Sequence, residues 1–376
     1  MNILYVFTYG YSLKTWNESG QLTRELKHFE SLYDQNKNIN FYLLTFASEN
    51  DTSLVDYEYI NVIPIYKYIK KSKFKIINLI KSFTFFITMS KILEKEIDII
   101  IQNQLLGSWI SILIKYKFGI PLIIRTGYDM YQFSIYEKKS KTKKTLYKYL
   151  TNFSLKFSDL YTVTSEKDKK FLIQNFNIKY LTKIKIRSNW VSSPVQNQFI
   201  EKKNKSLISV GRLEDQKNYR FLINALSETD YSLDIYGDGS LKKELVKLAK
   251  EKQVNINFLG ITEGKKLIKN LNKYKYYISS SIYEGNPKSL LEAMSAGCLV
   301  IASNIEGHVE FLNNENSVLF DLENSIELKD IINNLENIEE NKIKNLIFNS
   351  QKTVEKFYNL DTLVKKELED INKILE

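Results

Sequence analysis

The sequence predicts an α/β protein with two doubly wound, Rossmann-like parallel sheets. Short apolar runs typical of β-strands alternate with longer stretches of helical period, and this series begins twice, near residue 3 and near residue 207. The chain has 376 residues, a length that suits two domains, and 43% of them are apolar, enough for two cores. The same composition excludes a disordered or collagen-like chain.

The first half of the chain contains seven predicted strands, at 3–7, 41–46, 62–65, 97–101, 122–125, 161–164 and 184–187. Stretches of helical period separate them, so neighbouring strands are expected to be parallel. The polar segment 192–205 follows neither period and contains Pro194, which makes it the predicted linker. We therefore expect an N-terminal domain over residues 1–195.

The second half repeats the pattern, with predicted strands at 207–210, 233–236, 256–259, 276–279 and 299–302. After residue 323 the chain is charged and helical to its end, with no further strand signal. We expect a C-terminal domain over 204–355, facing the first across a cleft. Residues 356–376 are expected to form a last helix that could cross back to the N-terminal domain.

A single cysteine, Cys298, excludes an internal disulfide framework and a thiolate-rich metal site, and it indicates a reducing compartment. Its place at the start of a predicted strand suggests a buried apolar role. The first residues, MNILYVF, resemble a buried strand rather than a secretory signal. No apolar stretch reaches the roughly 20 residues of a membrane-spanning helix. A cytoplasmic location is therefore expected.

Basic charge is concentrated in the first half of the chain. The net charge is +10, and residues 1–200 hold 29 basic and 16 acidic side chains. Two lysine runs, at 67–75 and 138–148, are interleaved with aromatic residues, and an apolar stripe of helical spacing follows the first run at Ile76, Ile80, Phe83 and Ile87. The runs predict contact with an anionic membrane surface, with an ordinary solvated face as the alternative. No RNP motif, zinc finger or helix-turn-helix supports a nucleic-acid partner.

Two segments that follow predicted strands carry the chemistry, because ligands of such sheets bind beyond the carboxyl ends of strands. In the first, Gly211 ends a strand and the cations Arg212 and Lys217 flank the turn into the next helix. Glycine permits close backbone approach, and the two cations suit a diphosphate. Taken alone, the segment is more typical of a solvated strand-to-helix turn with ordinary surface charges.

The second segment, 279–297, places two carboxylates at the start of one helix. Asn286 is the predicted N-cap and Pro287 the predicted first helical residue, so free amides there favour an anionic or hydroxyl-rich ligand. Glu284 precedes the helix, and Glu292 lies on its polar face. Interaction with the helix dipole would stabilise acidic residues at this position by only about 0.3–1 kcal/mol. It does not explain the glycine and the proline that lie between the two carboxylates.

The motifs EGNPKSLLEAMSAG, GRLEDQKN and YGDGSLKKEL resemble family 4 of the retaining glycosyltransferases (glycosyl transferases group 1) in order and spacing, across residues 205–312. The resemblance implies the GT-B fold, with an acceptor-binding N-terminal domain and a C-terminal domain that binds a nucleoside diphosphate sugar. The N-terminal half resembles the family only in architecture.

The resemblance also implies roles for individual residues. Arg212 and Lys217 would bind the donor diphosphate and stabilise the leaving group, Glu284 would lie against the donor sugar, and Glu292 would accept hydrogen bonds from the ribose. The rest of the implied donor-binding set comprises Gly211, Gly237, Asp238, Gly239, Gly285, Asn286, Pro287, Lys288 and Ser289, together with Gly20, which could open the first helix towards the diphosphate.

One departure from the family concerns histidine. Many relatives have a histidine facing the reacting sugar, whereas this chain has only His28, expected to be structural or on the surface, and His308, which could contact the donor phosphates. The segment where the family's histidine is expected contains Asp129, which could act as the base or orient the acceptor hydroxyl, or simply cap a helix.

The implied function is transfer of a hexose, with retention, from a nucleoside diphosphate sugar to a glycan or lipid-linked acceptor of the cell envelope. No cofactor is expected and no metal site, since the chain contains no Asp-x-Asp pair. The alternatives are an epimerase or hydrolase of nucleotide sugars with the same fold, or a basic protein that binds nucleic acid or membrane through a vestigial pocket.

Overall fold

A computed structural model describes residues 1–92, 96–191, 203–262 and 264–376. Contacts divide the chain into two compact units. The first comprises Met1–Ser188 with Leu363–Glu376, and the second comprises Asn189–Thr362. The greater part of the expected linker, 192–202, lies outside the described residues, and its last three residues belong to a strand instead.

The first unit contains a seven-stranded parallel sheet in the order β3-β2-β1-β4-β5-β6-β7. Its strands are β1 (Asn2–Val6), β2 (Asn40–Thr45), β3 (Ile60–Pro64), β4 (Ile99–Asn103), β5 (Leu122–Arg125), β6 (Leu160–Val163) and β7 (Ile184–Ile186). Its helices are α1 (Leu13–Glu18), α2 (Leu22–Gln35), α3 (Ile65–Tyr68), α4 (Lys75–Ser82), α5 (Phe85–Ile92), α6 (Ser108–Phe118), α7 (Met130–Tyr136), α8 (Lys141–Phe157) and α9 (Glu166–Asn175). The strand order reverses between β1 and β4, the mark of a doubly wound sheet.

The second unit contains a six-stranded parallel sheet in the order β10-β9-β8-β11-β12-β13. Its strands are β8 (Lys203–Val210), β9 (Ser232–Tyr236), β10 (Ile256–Gly260), β11 (Tyr274–Ser279), β12 (Leu299–Ser303) and β13 (Val318–Phe320). Its helices are α10 (Tyr219–Leu226), α11 (Lys242–Glu251), α12 (Gly264–Leu271), α13 (Lys288–Ser295), α14 (Glu306–Val309), α15 (Ser325–Asn333) and α16 (Glu340–Phe357). The last helix, α17 (Leu360–Leu375), runs from this unit into the first.

The second sheet is buried on both faces, as its helix-covered parallel strands require. Adjacent residues of one strand point to opposite sides, so Leu207 and Tyr276 pack in one apolar cluster while Ile208 and Tyr277 pack in the other. Cys298 is fully buried in the second of these clusters, which confirms its predicted apolar role. This packing holds the carboxyl ends of β8 and β11 in fixed positions.

Helix α17 is attached to the first unit by buried charges. The Glu367 carboxylate lies 2.7 Å from His28 Nε2 and 3.5 Å from the Arg125 guanidinium. One turn further along, Asp370 pairs with Lys185 and Arg187. His28 is 1% exposed and contributes to packing, in agreement with its expected structural role.

The doubly wound fold class is confirmed, and each predicted strand overlaps a strand of the structure. One strand, β13, was not predicted: it lies just before residue 323 and pairs with β12 along only three residues, too short for its alternation to be recognised. Within the described part of the chain, no helix combines the length and apolarity needed to cross a bilayer.

Candidate active site

The candidate site of the second unit lies where the order of its strands reverses. Strand β8 lies between β9 and β11. The chain continues from β8 to β9 on one side of this point and from β11 to β12 on the other. Such a reversal leaves a crevice at the carboxyl ends of the two strands. The segment 211–217 follows β8 and the segment 280–287 follows β11, so the fold brings the two predicted segments together.

Lys217 and Glu284 form the centre of the site. The Lys217 ammonium lies 2.5 Å from Glu284 Oε1, and the Ser281 hydroxyl donates to the same oxygen over 2.8 Å. Burial alone would raise the pKa of Glu284, but Lys217, His308 and the Ser281 hydrogen bond outweigh it and hold the pKa below its usual value. Glu284 is therefore ionised at neutral pH.

Gln216 joins Arg212 to this pair. Its side-chain amide donates to Glu284 Oε2 over 3.3 Å and to the Tyr283 carbonyl over 3.0 Å, while its oxygen accepts from the Arg212 guanidinium over 3.5 Å. Arg212 itself is exposed, so most of its donors face solvent. Both predicted cations thus lie on one hydrogen-bonded group, and Gln216 and Ser281 are members that the sequence reading missed.

Helix α13 carries the second carboxylate. Glu292 is 6% exposed and pairs with Lys288 over 3.1 Å, and Ser289 accepts from the Tyr277 hydroxyl over 3.2 Å. Burial raises the pKa of Tyr277, and the charges of Glu284 and Glu292 raise it further. Both carboxylates are therefore within electrostatic reach of one phenol.

The predicted start of this helix was wrong by one residue. Pro287 is the N-cap, without a side-chain capping bond, and the helix begins at Lys288. Asn286 does not cap the helix, because its side-chain oxygen accepts from the Asn189 amide over 3.0 Å and its carbonyl accepts from the Asn189 side chain. Gly285 and Asn286 are buried, so this turn is fixed on the neighbouring chain segment.

Two glycines of the YGDGSLKKEL motif allow main chains to approach closely. A Cβ on Gly237, whose φ is +146°, would lie 1.9 Å from the Gly211 carbonyl oxygen, and one on Gly239 would lie 2.5 Å from the Leu213 carbonyl oxygen. Asp238 accepts from the Leu213 amide through its carbonyl, at 3.0 Å, and pairs with Lys242 through its carboxylate. These residues shape the loop that carries Arg212.

Gly237→Ala is expected to lower the free energy of unfolding by about 3 kcal/mol, because the new methyl group forces the two loops apart and occupies a positive-φ conformation. Urea denaturation of the purified variant measures the loss. Gly260→Ala is the matched control, since its φ of +72° is also positive but a Cβ there meets no atom within 4 Å. Equal losses in the two variants would contradict the steric argument.

His308 is buried behind Glu284 and holds the neighbouring main chain through hydrogen bonds. It is fully buried, and its Nδ1 donates to the Ser303 carbonyl over 2.8 Å, while the Ser303 hydroxyl donates to the Ser281 carbonyl over 2.6 Å. The adjacent Gly307 packs so closely that a Cβ would lie 2.2 Å from the Glu284 carbonyl oxygen. His308 therefore packs behind Glu284, helps to lower the pKa of that carboxyl, and has no exposed ring atom for a phosphate.

Two predicted residues belong to the first unit. Gly20, with φ of +72°, joins α1 to α2, whose N-cap is Gln21. Asp129 caps α7: one oxygen accepts from the Gln132 amide at 2.8 Å, the other from the Thr151 hydroxyl at 3.1 Å, and the residue is fully buried. The capping interpretation of Asp129 is confirmed. Its burial leaves no carboxylate oxygen exposed to a substrate, so neither of the alternative roles, as the base or in orienting the acceptor hydroxyl, is supported.

Asp129→Asn is expected to stabilise the protein at pH 7.5. Burial raises the pKa of Asp129 to about 6, so between its unfolded value near 4 and this value the folded state binds the extra proton. Stability due to this group is greatest below pH 4 and falls as pH rises through 6, by about 3 kcal/mol. Asparagine preserves the cap without the charge. Thermal unfolding should show a higher melting temperature at pH 7.5 and no gain at pH 4, and a gain independent of pH would contradict this account.

The geometry agrees with a comparison against protein families. Residues 194–353 match the family model described as glycosyl transferases group 1, and this segment contains every residue of the second unit's candidate site named above except Asn189. This part of the chain is a group-1 glycosyltransferase domain. The group-1 domain thus accounts for the two motifs that meet at the carboxyl ends of β8 and β11.

Curated relatives of the chain are also glycosyltransferases. It is 29% identical over 212 residues to an N-acetylgalactosaminyltransferase of Campylobacter jejuni that acts on N-acetylgalactosamine-N,N'-diacetylbacillosaminyl-diphospho-undecaprenol, covering 52% of this chain and 58% of that protein. It is 27% identical over 328 residues to an α-1,3-galactosyltransferase of Escherichia coli named for UDP-Gal and α-D-GlcNAc-diphosphoundecaprenol, covering 77% and 82%. The first match spans little more than half of that relative.

The fold extends beyond the group-1 domain. Sucrose-phosphate synthase from Thermosynechococcus elongatus superposes with a TM-score of 0.80 at 14% identity, covering 100% of this chain and 99% of that one. At this identity the likeness concerns the fold alone. The two units together have the GT-B fold.

Proposed function

We propose that the protein is a glycosyltransferase that moves a hexose from a nucleoside diphosphate sugar to a glycan or lipid-linked acceptor in the synthesis of a cell-envelope polysaccharide. The observation that carries the proposal is the Arg212–Gln216–Glu284–Lys217 group at the strand reversal of a group-1 domain. The names of the Campylobacter and Escherichia coli relatives, both of which act on undecaprenyl diphosphate glycans, support the acceptor class.

The cations would act on the leaving group. Breaking the bond between a sugar and a diphosphate places negative charge on the departing phosphate, and fixed positive groups stabilise that charge more than they stabilise the ground state. Arg212 offers a planar set of donors and Lys217 a compact charge already held in place by Glu284. We infer that these two residues supply the neutralisation and that turnover persists in EDTA.

The carboxylates would position the donor. Glu292, at the polar side of α13, would accept hydrogen bonds from the ribose hydroxyls, and Glu284 would lie against the sugar. No side chain of the site needs to act as a nucleophile, because the departing phosphate can deprotonate the acceptor on the face it leaves. That step places the new bond on the same face as the old one, so we propose retention of the anomeric configuration.

The proposal is tested by incubating the protein with a panel of UDP, GDP and ADP sugars, with and without a membrane lipid fraction as acceptor. Release of nucleotide that depends on acceptor, together with labelled sugar in the lipid fraction, is the expected result, and NMR of the product gives the anomeric configuration. Release without acceptor would identify a hydrolase or epimerase instead. Binding of liposomes or nucleic acid without any donor turnover would refute the transferase assignment.

A further inference from the structure

The surface of the first unit carries a strip of apolar side chains that we call the 74–87 ridge, made of Phe74, Ile76, Ile80, Phe83 and Ile87. These residues are between 48% and 67% exposed, although each is large and apolar. Phe74 and Phe83 cap the two ends of α4, and the three isoleucines follow helical spacing with Phe83 across α4 and the start of α5. Five large apolar side chains exposed to this degree within fourteen residues mark an interaction surface rather than scattered surface residues.

Helix α4 has the opposite orientation to a helix that packs its apolar side on a core. Its polar residues Asn78 and Ser82 are 7% and 0% exposed, while its isoleucines point outward. The polar residues are held in place, since the Trp109 indole donates to the Ser82 hydroxyl over 2.9 Å and Phe83 stacks on Trp109. The orientation is therefore fixed by specific hydrogen bonds, and the ridge remains available to a partner.

Lysines surround the ridge. Lys67, Lys70, Lys71, Lys73 and Lys75 are all exposed, and residues 59–93 contain no aspartate or glutamate. The Asn78 side chain accepts from the Ser72 amide over 2.7 Å and donates to its carbonyl over 2.8 Å, which fixes the lysine loop against α4. The positive charges and the apolar strip thus form one surface.

This combination identifies the partner by its chemistry. Two copies of the ridge would bring like charges together, which disfavours self-association. An anionic bilayer offers acyl chains to the apolar strip and negative headgroups to the lysines, the match shown by helices that lie in a membrane interface. We propose that the 74–87 ridge docks on an anionic lipid bilayer, with α4 lying in the plane of the headgroups. The inference deepens the proposed function, because a lipid-linked acceptor is presented at such a surface.

Vesicle sedimentation tests the docking directly. The full-length protein is mixed with vesicles of phosphatidylglycerol and phosphatidylethanolamine, or of phosphatidylcholine alone, at 0.1 M and 0.5 M NaCl. Each lysine near the headgroups strengthens binding about fivefold. We therefore expect at least tenfold weaker binding to phosphatidylglycerol vesicles for Lys71→Gln/Lys73→Gln/Lys75→Gln, and at least tenfold weaker binding for Ile76→Ser/Ile80→Ser at either salt concentration.

Matched controls are available on the second unit. Lys243→Gln/Lys247→Gln/Lys250→Gln makes the same charge change on exposed residues of α11, and Ile326→Ser/Phe348→Ser removes equally exposed apolar side chains. Both controls should bind within twofold of the original protein. Ridge variants that bind like the original, or equal binding to phosphatidylcholine vesicles, would overturn the proposal. Loss of binding only through charge, with Ile76→Ser/Ile80→Ser unaffected, would also overturn it, because the ridge would then not insert.

The outcome can be separated from that of the proposed function. Thermal shift with nucleotide sugars in the absence of vesicles reports on the second unit, and the ridge variants should retain the shift of the original protein. A protein that docks but binds no nucleotide sugar would refute the transferase assignment and leave the ridge proposal standing. A protein that turns over donor but ignores vesicles would refute the ridge proposal alone.

Discussion

Lys217→Met is expected to lower donor turnover by about 10²–10³-fold, the usual cost of removing one fixed group that stabilises transition-state charge. The methionine keeps the length of the side chain and removes only the ammonium. The variant should also lose stability, by about 3 kcal/mol, because it leaves the buried Glu284 carboxylate without its cation. Acceptor-dependent nucleotide release and urea denaturation measure the two effects separately.

A second substitution distinguishes catalysis from folding. In Lys217→Met/Glu284→Gln the buried charge is removed together with its partner, and the amide can still accept from Ser281. We expect the double variant to recover most of the lost stability while turnover stays low. Recovery of turnover along with stability would show that Lys217 serves only to neutralise Glu284.

Glu367→Gln is expected to lower the free energy of unfolding by about 3 kcal/mol at pH 7, since it leaves the partly buried Arg125 guanidinium without its counter-charge. Burial raises the pKa of Glu367, but Arg125 and His28 outweigh it and lower the pKa to about 2. The folded pKa lies below the unfolded value near 4.5, so the stabilisation is complete above pH 4.5 and disappears as pH falls through 2. Urea denaturation at pH 7 and at low pH measures it.

The same helix provides the control for that experiment. Glu369→Gln makes an identical change at an exposed position of α17 and should alter the unfolding free energy by no more than about 0.5 kcal/mol. The original protein and Glu367→Gln should converge in stability as the pH approaches 2. A deficit that stays constant from pH 7 downward would show that shape, and not charge, attaches the helix.

The alternation of strand and helix periods was sufficient to predict both sheets, because parallel strands buried on two faces leave long apolar runs. The motif segments were recognisable for a related reason: glycine, proline and charge together are uncommon at the end of a buried strand. Strand β13 has only three residues, and Asn286 is fixed by Asn189, 97 positions earlier in the chain. Neither the short strand nor the contact with Asn189 can be recognised from the local sequence.

The burial of individual side chains could not be predicted from the sequence, because it depends on contacts with residues far away in the chain. Asp129 could have been a base or a cap, and only the packing of α8, through Thr151, decides between them. The basic run at 67–75 was predicted to contact an anionic surface, but the inverted orientation of α4 depends on Trp109 from another helix. Gln216 and Ser281 carry no motif signal, since amides and hydroxyls are common in any loop.

The path of α17 has a consequence for synthesis. The partly buried guanidinium of Arg125 receives its carboxylate from residue 367, so the first unit can be completed only after residues 189–367 have been synthesised. The second unit, continuous from 189 to 362, is whole before that moment, which reverses the usual order in which domains fold during translation. Premature termination shortly after residue 362 would therefore leave the second unit, with its candidate active site, complete. The first unit, although synthesised first, would lack its last helix and be destabilised.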